Sequence, residues 1–576
     1  MLAVILLPIF SDYDMINCVM HCSTDVLVVG GGPVGLMLAC ELQRQGVDHL
    51  LVERTSQRSY FCKALGLTPR TLEIFEALGI VQPAIDHGVW LTGWTSFDNG
   101  QKTGSQDIQI EGWPYGFLAL PQYETEQILE GCLKRHGGSV QYGLTLEGFN
   151  QGPDTVEAEI VDATGGRQKV TCGWLVGCDG ARSTVRKGLG LEFEGDRYDM
   201  GFMLGDVEID WDLPRGRAYR FQQTVEGQLR NVVVAIPIHG SIRRYRLSMA
   251  DPDTIGKPAN AAGVEANQPP TLERLIEVAG PILLPGPRVS NLRWSSVYRI
   301  SHRIVPRYSV GRVFLAGDAA HIHPPIGGLG MNTGLQDAHN LSWKLTLAAR
   351  GVSNPGILDS YSAERRPVGL DVVNETSRAM GDTLKGQSKQ FRAEGRESQL
   401  FIHYRSSSLV RDDLPAEQVD DVTPRAGDRA PDAADLSRPF VGRRFRLREC
   451  LAGGCHALIG YSAGDRAGVD QTELANLFEV LRTRFGTELA IGLMIVAPDA
   501  TVADGEQIPL LTDTLDKFRQ AYGARPGMSW LIRPDGYIAW RFEGANSEEL
   551  ARFVDQAYAI RVEANLTRRH EGTRQE

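Results

Sequence analysis

The sequence has no apolar run long enough to cross a bilayer, no paired-cysteine or histidine metal motif, and no block of positive charge. Each absence excludes a class of function. A membrane helix needs roughly 20 consecutive apolar residues. Residues 1–10 are nearly all apolar, but Pro8 and Asp12 cut the run short, and no Lys or Arg precedes it as a secretory signal requires. The expectation is an extension over residues 1–23, with Met15 and Met20 as alternative starts, no membrane partner and a cytoplasmic protein. Neither CxxC nor HExxH occurs, so neither a structural zinc site nor a metallohydrolase is expected, and no metal ligand is named. The 9 cysteines are odd in number and irregularly spaced, which speaks against a disulfide framework. Cys18 and Cys22 fall in the extension, whereas Cys40, Cys132 and Cys178 sit in apolar patterns and read as buried thiols. The net charge of −11 is spread along the chain, so no face is basic enough for nucleic acid.

A chain of 576 residues exceeds what one hydrophobic core serves, so two or three domains are expected. Residues 24–404 alternate strand-like apolar runs with helical patterns, the mark of an α/β fold. Within them, about 85–120 and 200–295 lack the helices. Segments 219–223, 232–237 and 244–249 read there as strands of an antiparallel sheet, an inserted subdomain. Residues 405–435 turn polar and rich in Asp, Arg, Pro and Ala, and read as a linker. Residues 436–562 run strand (457–460), helix (474–485), strand (489–496), helix (518–522), then a hairpin (529–533 and 537–541) across Pro534-Asp535-Gly536. That order suggests a thioredoxin-like domain. Its redox cysteines are missing, because Cys450 and Cys455 precede the first strand. Packing, or a homodimer through this domain, is its expected role, and residues 563–576 read as a polar tail.

The strongest local signal lies near the N-terminus. Residues 25–29 read as a buried strand that runs into Gly30-Gly31-Gly32-Pro33-Val34-Gly35. A helical pattern over 36–45 stops at Gly46, and a second strand ends in Glu53. This is the whole context a dinucleotide fingerprint requires. Gly30 permits the tight turn, Gly32 lets backbone amides approach a pyrophosphate, and Gly35 lets helix and strand pack closely. Pro33 and Val34 open the helix, whose N-terminus favours phosphate. Glu53 stands at the spacing expected for a ribose acceptor. The motif by itself does not choose between FAD and NAD.

Two later motifs bear on that choice. A strand over 174–177 leads into Cys178-Asp179-Gly180-Ala181-Arg182, and another over 312–316 into Gly317-Asp318-Ala319-Ala320-His321. Then come Pro324-Pro325-Ile326-Gly327-Gly328-Leu329-Gly330-Met331-Asn332 and a long helix to Arg350. In this order the three motifs resemble those of the single-component FAD-dependent aromatic hydroxylases (group A flavoprotein monooxygenases). The branch most similar holds phenol hydroxylase, hydroxyphenylpropionate hydroxylase and the aromatic polyketide hydroxylases. The resemblance implies a Rossmann-like FAD-binding domain with an inserted antiparallel-sheet substrate domain. It implies that Asp318 holds the ribityl or phosphate part of FAD, while Pro325, Gly328, Leu329, Gly330, Met331 and Asn332 wrap the isoalloxazine. It further implies that Asp179 and Arg182 serve FAD and NAD(P)H, and that Arg54 and Gln122 contact FAD. Lys63 stands where many relatives carry Arg, and offers a point charge instead of a fork. His321 and His323 read as polar loop residues, not metal ligands.

Only one dinucleotide-binding strand–loop–helix is visible, which fits an enzyme that meets its nicotinamide transiently. The resemblance implies reduction of FAD by NAD(P)H, addition of O2 at flavin C4a to give a hydroperoxide, and transfer of one oxygen to a small, phenolic aromatic substrate. A base or hydrogen-bond acceptor beside the phenol is expected. Tyr219, Arg220, Arg230, His239 and Tyr245 are candidates, and Trp90, Trp94, Phe202 and Met203 are candidate lining. Strand alternation sends about half of such residues to the other face. A flavin epoxidase or Baeyer–Villiger oxygenase on the same scaffold, and a non-catalytic FAD-binding interaction protein, remain as alternatives.

Overall fold

The computed structural model describes residues 21–560, apart from 59–63, 111, 227, 252–268, 284–286, 385–395, 415–422, 501–507 and 545. Lys63, Cys18 and the tail over 563–576 lie outside the described residues.

The first strand is longer than hydropathy suggests. It spans His21–Val29 and pairs in parallel with Arg167–Gly177, from His21 opposite Lys169 to Val29 opposite Gly177. Residues 21–23, with Cys22, therefore belong to the sheet and not to an extension. Their backbone groups find partners in the neighbouring strand, a gain that an apolar-residue pattern does not register. His49–Glu53 pairs in parallel on the other side of His21–Val29, so the chain leaves this strand in both directions. That is a topological switch point, where open α/β sheets bind ligands beyond the strand ends. Helix Pro33–Arg44 lies over the sheet and packs on helices Gln122–Arg135 and Leu329–Ala349.

The second sheet has eight strands in the order His321–Ile322, Arg288–Ile304, Glu194–Asp210, Arg244–Asp251, Gln228–Pro237, Arg217–Val225, Gly93–Asp98, Gln101–Asp107. It is thus wider than the expected segments, and residues 117–121 lie outside it in a small sheet with Leu65–Leu67 and Val89–Leu91. It is also not wholly antiparallel, because Gly93–Asp98 pairs in parallel with Arg217–Val225. These two strands come from distant parts of the chain, so no hairpin dictates their direction. One face buries Tyr219, Phe221, Val233, Tyr245 and Leu247 with Leu275 of helix Leu272–Ala279. The opposite face is left for the site.

The third sheet carries the C-terminal residues in the order Arg411–Asp412, Ile538–Glu543, Met528–Ile532, His456–Ser462, Ala490–Val496, Leu510–Asp513, Leu436–Arg438, Val441–Phe445. The described part of the expected linker is consequently strapped down. Arg411–Asp412 adds a strand beside Trp540 and Arg541, and Arg541 binds Asp412 at 3.0 Å. Leu409, Ala426 and Ala430 are buried. Among the described residues, several of its charges pair at short range, Arg405 with Asp428 and Asp412 with Arg541.

The hairpin turn of this module enters the first domain. Arg533 Nη1 and Nη2 donate to Glu364 Oε1 and Oε2 at 2.7 and 2.9 Å, and Arg533 also pairs with Asp535. Asn340 and Lys344 of helix Leu329–Ala349 donate to Glu364 at 2.8 Å each. Burial draws Lys344 down to about 8 against the pull of Glu364. Arg70 Nη2 donates to the Asp535 carbonyl at 2.6 Å. All of these side chains are buried. Removing one partner of such a cluster leaves an uncompensated charge inside. Arg533→Met is expected to lower the unfolding free energy by about 3–5 kcal/mol, measured by urea denaturation.

A second buried pair joins two helices. Glu41 of Pro33–Arg44 lies 2.7 Å from His339 Nδ1 of Leu329–Ala349 and also pairs with Arg44. Burial pushes its carboxyl up, but Arg44 and His339 overcome that and hold it at about 2, below its ordinary 4.5. A depressed carboxylate contributes stability that is present above the unfolded value and lost as pH falls through the folded one. Glu41→Gln should therefore destabilise at pH 7. It should also flatten the loss of stability between pH 4.5 and 2, read by urea melts across that range.

Candidate functional site

The three loops meet around one cavity of about 1900 Å3, bounded by the C-terminal strand ends of the first sheet, the open face of the second, and the end of helix Asp359–Leu384. Gly30 has φ 107°, and a Cβ there would stand 2.5 Å from the Cys178 carbonyl, so the first two loops touch and only glycine fits. Gly35 faces away from the cavity, and a Cβ on it would collide with the Gly30 carbonyl. It packs the helix closely on the first loop and is not among the residues that line the cavity. Gly32 caps helix Pro33–Arg44 with no side-chain hydrogen bond, and no atom of the described residues lies within 4 Å of where its Cβ would be. Helix Leu329–Ala349 likewise begins at Gly328, φ 67°, without a side-chain cap. Two helix N-termini with orphan N–H groups thus enter the same space, each favouring negative charge.

The expected polar contacts line this half, and several are already tied to the backbone. Pro33, Val34, Arg54 and Arg182 border the cavity. Glu53 Oε2 accepts from Gly31 N at 2.7 Å and Oε1 from Thr55 N at 2.9 Å. Gln122 Nε2 donates to Glu126 at 2.8 Å, and Glu126 is pushed up to about 7 by burial. Asp179 borders the cavity; its Oδ2 accepts from Thr184 N and Val185 N at 2.6 and 3.2 Å, whereas its buried Oδ1 has no hydrogen-bond partner among the described residues. Burial raises the Asp179 carboxyl. Asp318 is exposed to the cavity on the turn Gly317–Ala319. Cys178, read as a buried thiol, borders the cavity too.

Pro325, Gly328, Gly330, Met331 and Asn332 also line it, but Leu329 is buried beneath the loop and does not. The Asn332 side chain is committed elsewhere. Its Oδ1 accepts from Thr68 N at 3.0 Å, and its Nδ2 donates to the Gly66 and Gly328 carbonyls at 3.1 and 2.8 Å. It staples the loop to the strand Leu65–Leu67. The sequence reading missed the residue that joins the last two motifs. Asp337, fully buried in the long helix, accepts from Gly317 N at 3.1 Å, lies 2.8 Å from His321 Nε2, and binds Arg365 Nε at 2.7 Å. An aspartate in a buried helix pattern was the available signal. His323 borders the cavity with Nδ1 against the Pro324 carbonyl, and burial holds it down at about 4, so it is neutral at pH 7.

In the other half, strand alternation sorts the candidates. Trp94, Phe202, Arg220 and Arg230 line the cavity. Tyr219, Tyr245 and Met203 are one residue out of phase and lie in the core beneath the sheet. His239 is exposed beyond the end of Gln228–Pro237, and Trp90 lies outside the lining. Unforeseen polar groups take their place. Arg246 Nε and Nη2 bind Asp206 at 2.7 and 2.8 Å, and the guanidinium lies 5.2 Å from the Trp294 ring. Tyr298, pushed up to about 12 by burial, keeps its proton and can donate. Among the described residues, no group of three or more His, Cys, Asp or Glu is placed to hold a metal ion, and no helix is long and apolar enough to cross a membrane.

The FAD binding domain family matches residues 23–376. The 12-dehydrotetracycline 5-monooxygenase/anhydrotetracycline 6-monooxygenase of Streptomyces rimosus is 30% identical over 522 residues, 90% of this chain and 95% of that protein. Pentachlorophenol 4-monooxygenase of Sphingobium chlorophenolicum is 30% identical over 545 residues, 92% of this chain and 96% of the other. Among solved structures, the ternary complex of aklavinone-11 hydroxylase with FAD and aklavinone superposes with a TM-score of 0.73 at 27% identity, covering 93% of this chain and 99% of that one. The site suits FAD, which the aklavinone-11 hydroxylase complex contains: an orphaned carboxylate oxygen on Asp179, open space over Gly32 among the described residues, and two uncapped helix N-termini that favour negative charge. Since the match runs through all three loops and nearly the whole of each relative, the chain belongs to the FAD binding domain family and is an FAD- and NAD(P)H-dependent aromatic monooxygenase.

Proposed function

We propose that this enzyme hydroxylates a phenol of several rings, laid across the open face of the second sheet. The observation that carries the reading is the volume. A single-ligand pocket reaches roughly 1,000 Å3 at the upper end, and 1900 Å3 is nearly twice that. Cofactor and a large substrate fit side by side. The wall is long as well: Leu229, Arg230, Asn231, Val232, Val234 and Ile236 of one strand border it, a span of seven residue steps or roughly 23 Å. A relative named for a tetracyclic substrate aligns along the same length of chain, which supports the reading.

In this reading Gly32 and Val34 present backbone N–H groups to the pyrophosphate, Pro33 between them sets the first helical turn, and Glu53 accepts from the ribose. Asp318 holds the ribityl or phosphate part, with Arg54, Gln122, Asp179 and Arg182 around it. Pro325, Gly328, Gly330 and Met331 border the isoalloxazine. The oxygen chemistry is supplied by FAD once it is bound and reduced by NAD(P)H. The chain's own work is to position the ring and exclude water, through Phe202, Leu204, Ala250 and Ile300, while Tyr298 keeps a proton to offer to a substrate oxygen.

The C-terminal module reads as thioredoxin-like. Ile538–Glu543, Met528–Ile532, His456–Ser462 and Ala490–Val496 lie side by side, with only the last two parallel, and helices Ala467–Phe485 and Ser547–Ala557 pack together. The buried cluster at Arg533 supports a packing role for it over dimerisation. Buried free Cys40, Cys132 and Cys172 fit a reducing, cytoplasmic setting.

Incubation of the flavin-loaded protein with NAD(P)H, 18O2 and a graded set of phenol, naphthol and hydroxyanthraquinone tests the reading. The three-ring phenol should stimulate O2 uptake most and gain one labelled oxygen on a ring carbon. Preference for phenol itself would overturn the multi-ring reading, and a labelled ring-expanded lactone would show Baeyer–Villiger chemistry instead. Asp318→Ala removes a charge-assisted contact of about 1.5–3 kcal/mol, so the FAD dissociation constant should rise roughly 10- to 100-fold. Fluorescence titration of the apoprotein reads this, and unchanged affinity would count against the placement of Asp318.

A further inference from the structure

The sheet that walls the cavity is not electrically uniform along its strand order. At one end it meets the loop expected around the isoalloxazine: Ile326 packs with Phe202, Ile300 and Met380, and Arg246 Nη1 donates to the Ala64 carbonyl at 3.2 Å. At the other end stand Arg217–Val225, Gly93–Asp98 and Gln101–Asp107. Arg220 and Arg230 border the cavity there, together with Trp94, Ser96 and Gln222, and among the described residues no carboxylate from these strands or from Gln228–Pro237 lines it. The neighbouring carboxylate, Asp98, is set back from the lining, and its Oδ2 accepts from Gln222 Nε2 at 3.0 Å and from Thr224 Oγ1 at 2.9 Å. The acidic lining residues Glu375, Asp382 and Glu397 belong to the facing wall, where Glu375 is paired with Arg378 and Arg396.

We propose that Arg220 and Arg230 form an anion subsite at the far end of the substrate cavity, and that the substrate is a multi-ring phenol carrying a carboxylate on the end remote from the ring that is hydroxylated. The inference rests on the multi-ring reading above. Arg220 and Arg230 lie on adjacent antiparallel strands, Arg220 opposite Val234 and Arg230 four residues further along that strand, and both long side chains add positive charge to one end of the cavity. Between them and Tyr298 the wall carries Phe202, Leu204, Val234 and Ile236, with Ser248 and the Asp206-paired Arg246 among them; its apolar part suits fused rings and lowers the local dielectric, which strengthens any ion pair formed at its end. Burial draws the Arg220 guanidinium down, with Asp98 opposing, which is the condition that an arriving anion relieves. Spacing sets the length. From the strand of Tyr298 to that of Arg220 there are four inter-strand steps, roughly 19 Å at about 4.8 Å each, less the reach of the facing side chains. That span suits about three fused rings and is too long for one phenol ring to touch both ends.

Rhein and aloe-emodin are matched probes: both are 1,8-dihydroxyanthraquinones, and they differ in a carboxylate against a hydroxymethyl group. Calorimetric titration of the flavin-loaded enzyme should show rhein binding about 10-fold more tightly or better. Added KCl should erode that difference, and the Arg220→Met/Arg230→Met variant should lose it. The flavin absorbance spectrum of the variant reports that its fold and cofactor site are intact. The salt titration of the unaltered enzyme provides an independent measure. Equal binding of the two probes, or a preference that survives both salt and the double substitution, would overturn the anion subsite while leaving the multi-ring reading in place. Failure of both probes to bind, with a single-ring phenol still stimulating O2 uptake, would overturn the two together.

Discussion

Asp337 is the point on which the arrangement of the cofactor half turns. It lies in the interior of a helix buried on nearly every side, and its carboxylate is satisfied by Gly317 N, His321 and Arg365. Burial pushes that carboxyl up, but Arg365 and His321 more than compensate and keep it below its ordinary value. The consequence is geometric. The loop that carries Asp318 and the helix whose uncapped N-terminus enters the cavity are bound through one side chain, so neither can shift without the other. Arg365 extends the link by donating to the Thr333 carbonyl at 3.1 Å and the Tyr404 hydroxyl at 2.9 Å. A preorganised donor set is what makes a helix terminus useful to an anionic cofactor, because no reorganisation is needed when charge arrives.

The C-terminal module acts on the same helix from the other side. Its turn at Arg533 and Asp535 reaches Asn340 directly and Lys344 through Glu364, and through Arg70 it reaches helix Pro69–Ala77. The N-cap of that helix, Thr68, is in turn held by Asn332. Buried ion pairs of this kind contribute little net stability over an apolar core, since desolvation offsets most of the attraction. Their value is specificity of placement, and here the placed object is the loop over the cavity. A module with no redox cysteines thereby has a structural reason to be retained.

The open sheet face completes the site by a different rule. Its side chains alternate, and the twist and order of eight strands set which rows look into the cavity. Apolar residues with the Asp206-paired Arg246 near the loop, and Arg220 and Arg230 at the far end, follow from that order.

Local sequence determined the parts whose chemistry is short-ranged. The Gly30–Gly35 turn, the Asp179-Gly180 and Gly317-Asp318 turns, and the Pro325–Asn332 loop are legible because a glycine or a turn is demanded by backbone geometry at that very position. Tertiary structure decided everything that depends on a distant partner. Tyr219 and Arg220 are adjacent in the chain and equally plausible on inspection, yet pairing with Gly93–Asp98 and Gln228–Pro237 sends one into the core and the other to the cavity. Asn332 looks like a ligand contact until Gly66 and Thr68 arrive to occupy its amide. The polar stretch after residue 404 looks solvated until Trp540 and Arg541 give Arg411–Asp412 a sheet to join. Hydrogen-bond and charge compensation are properties of pairs, and a linear pattern shows only one member of each pair at a time.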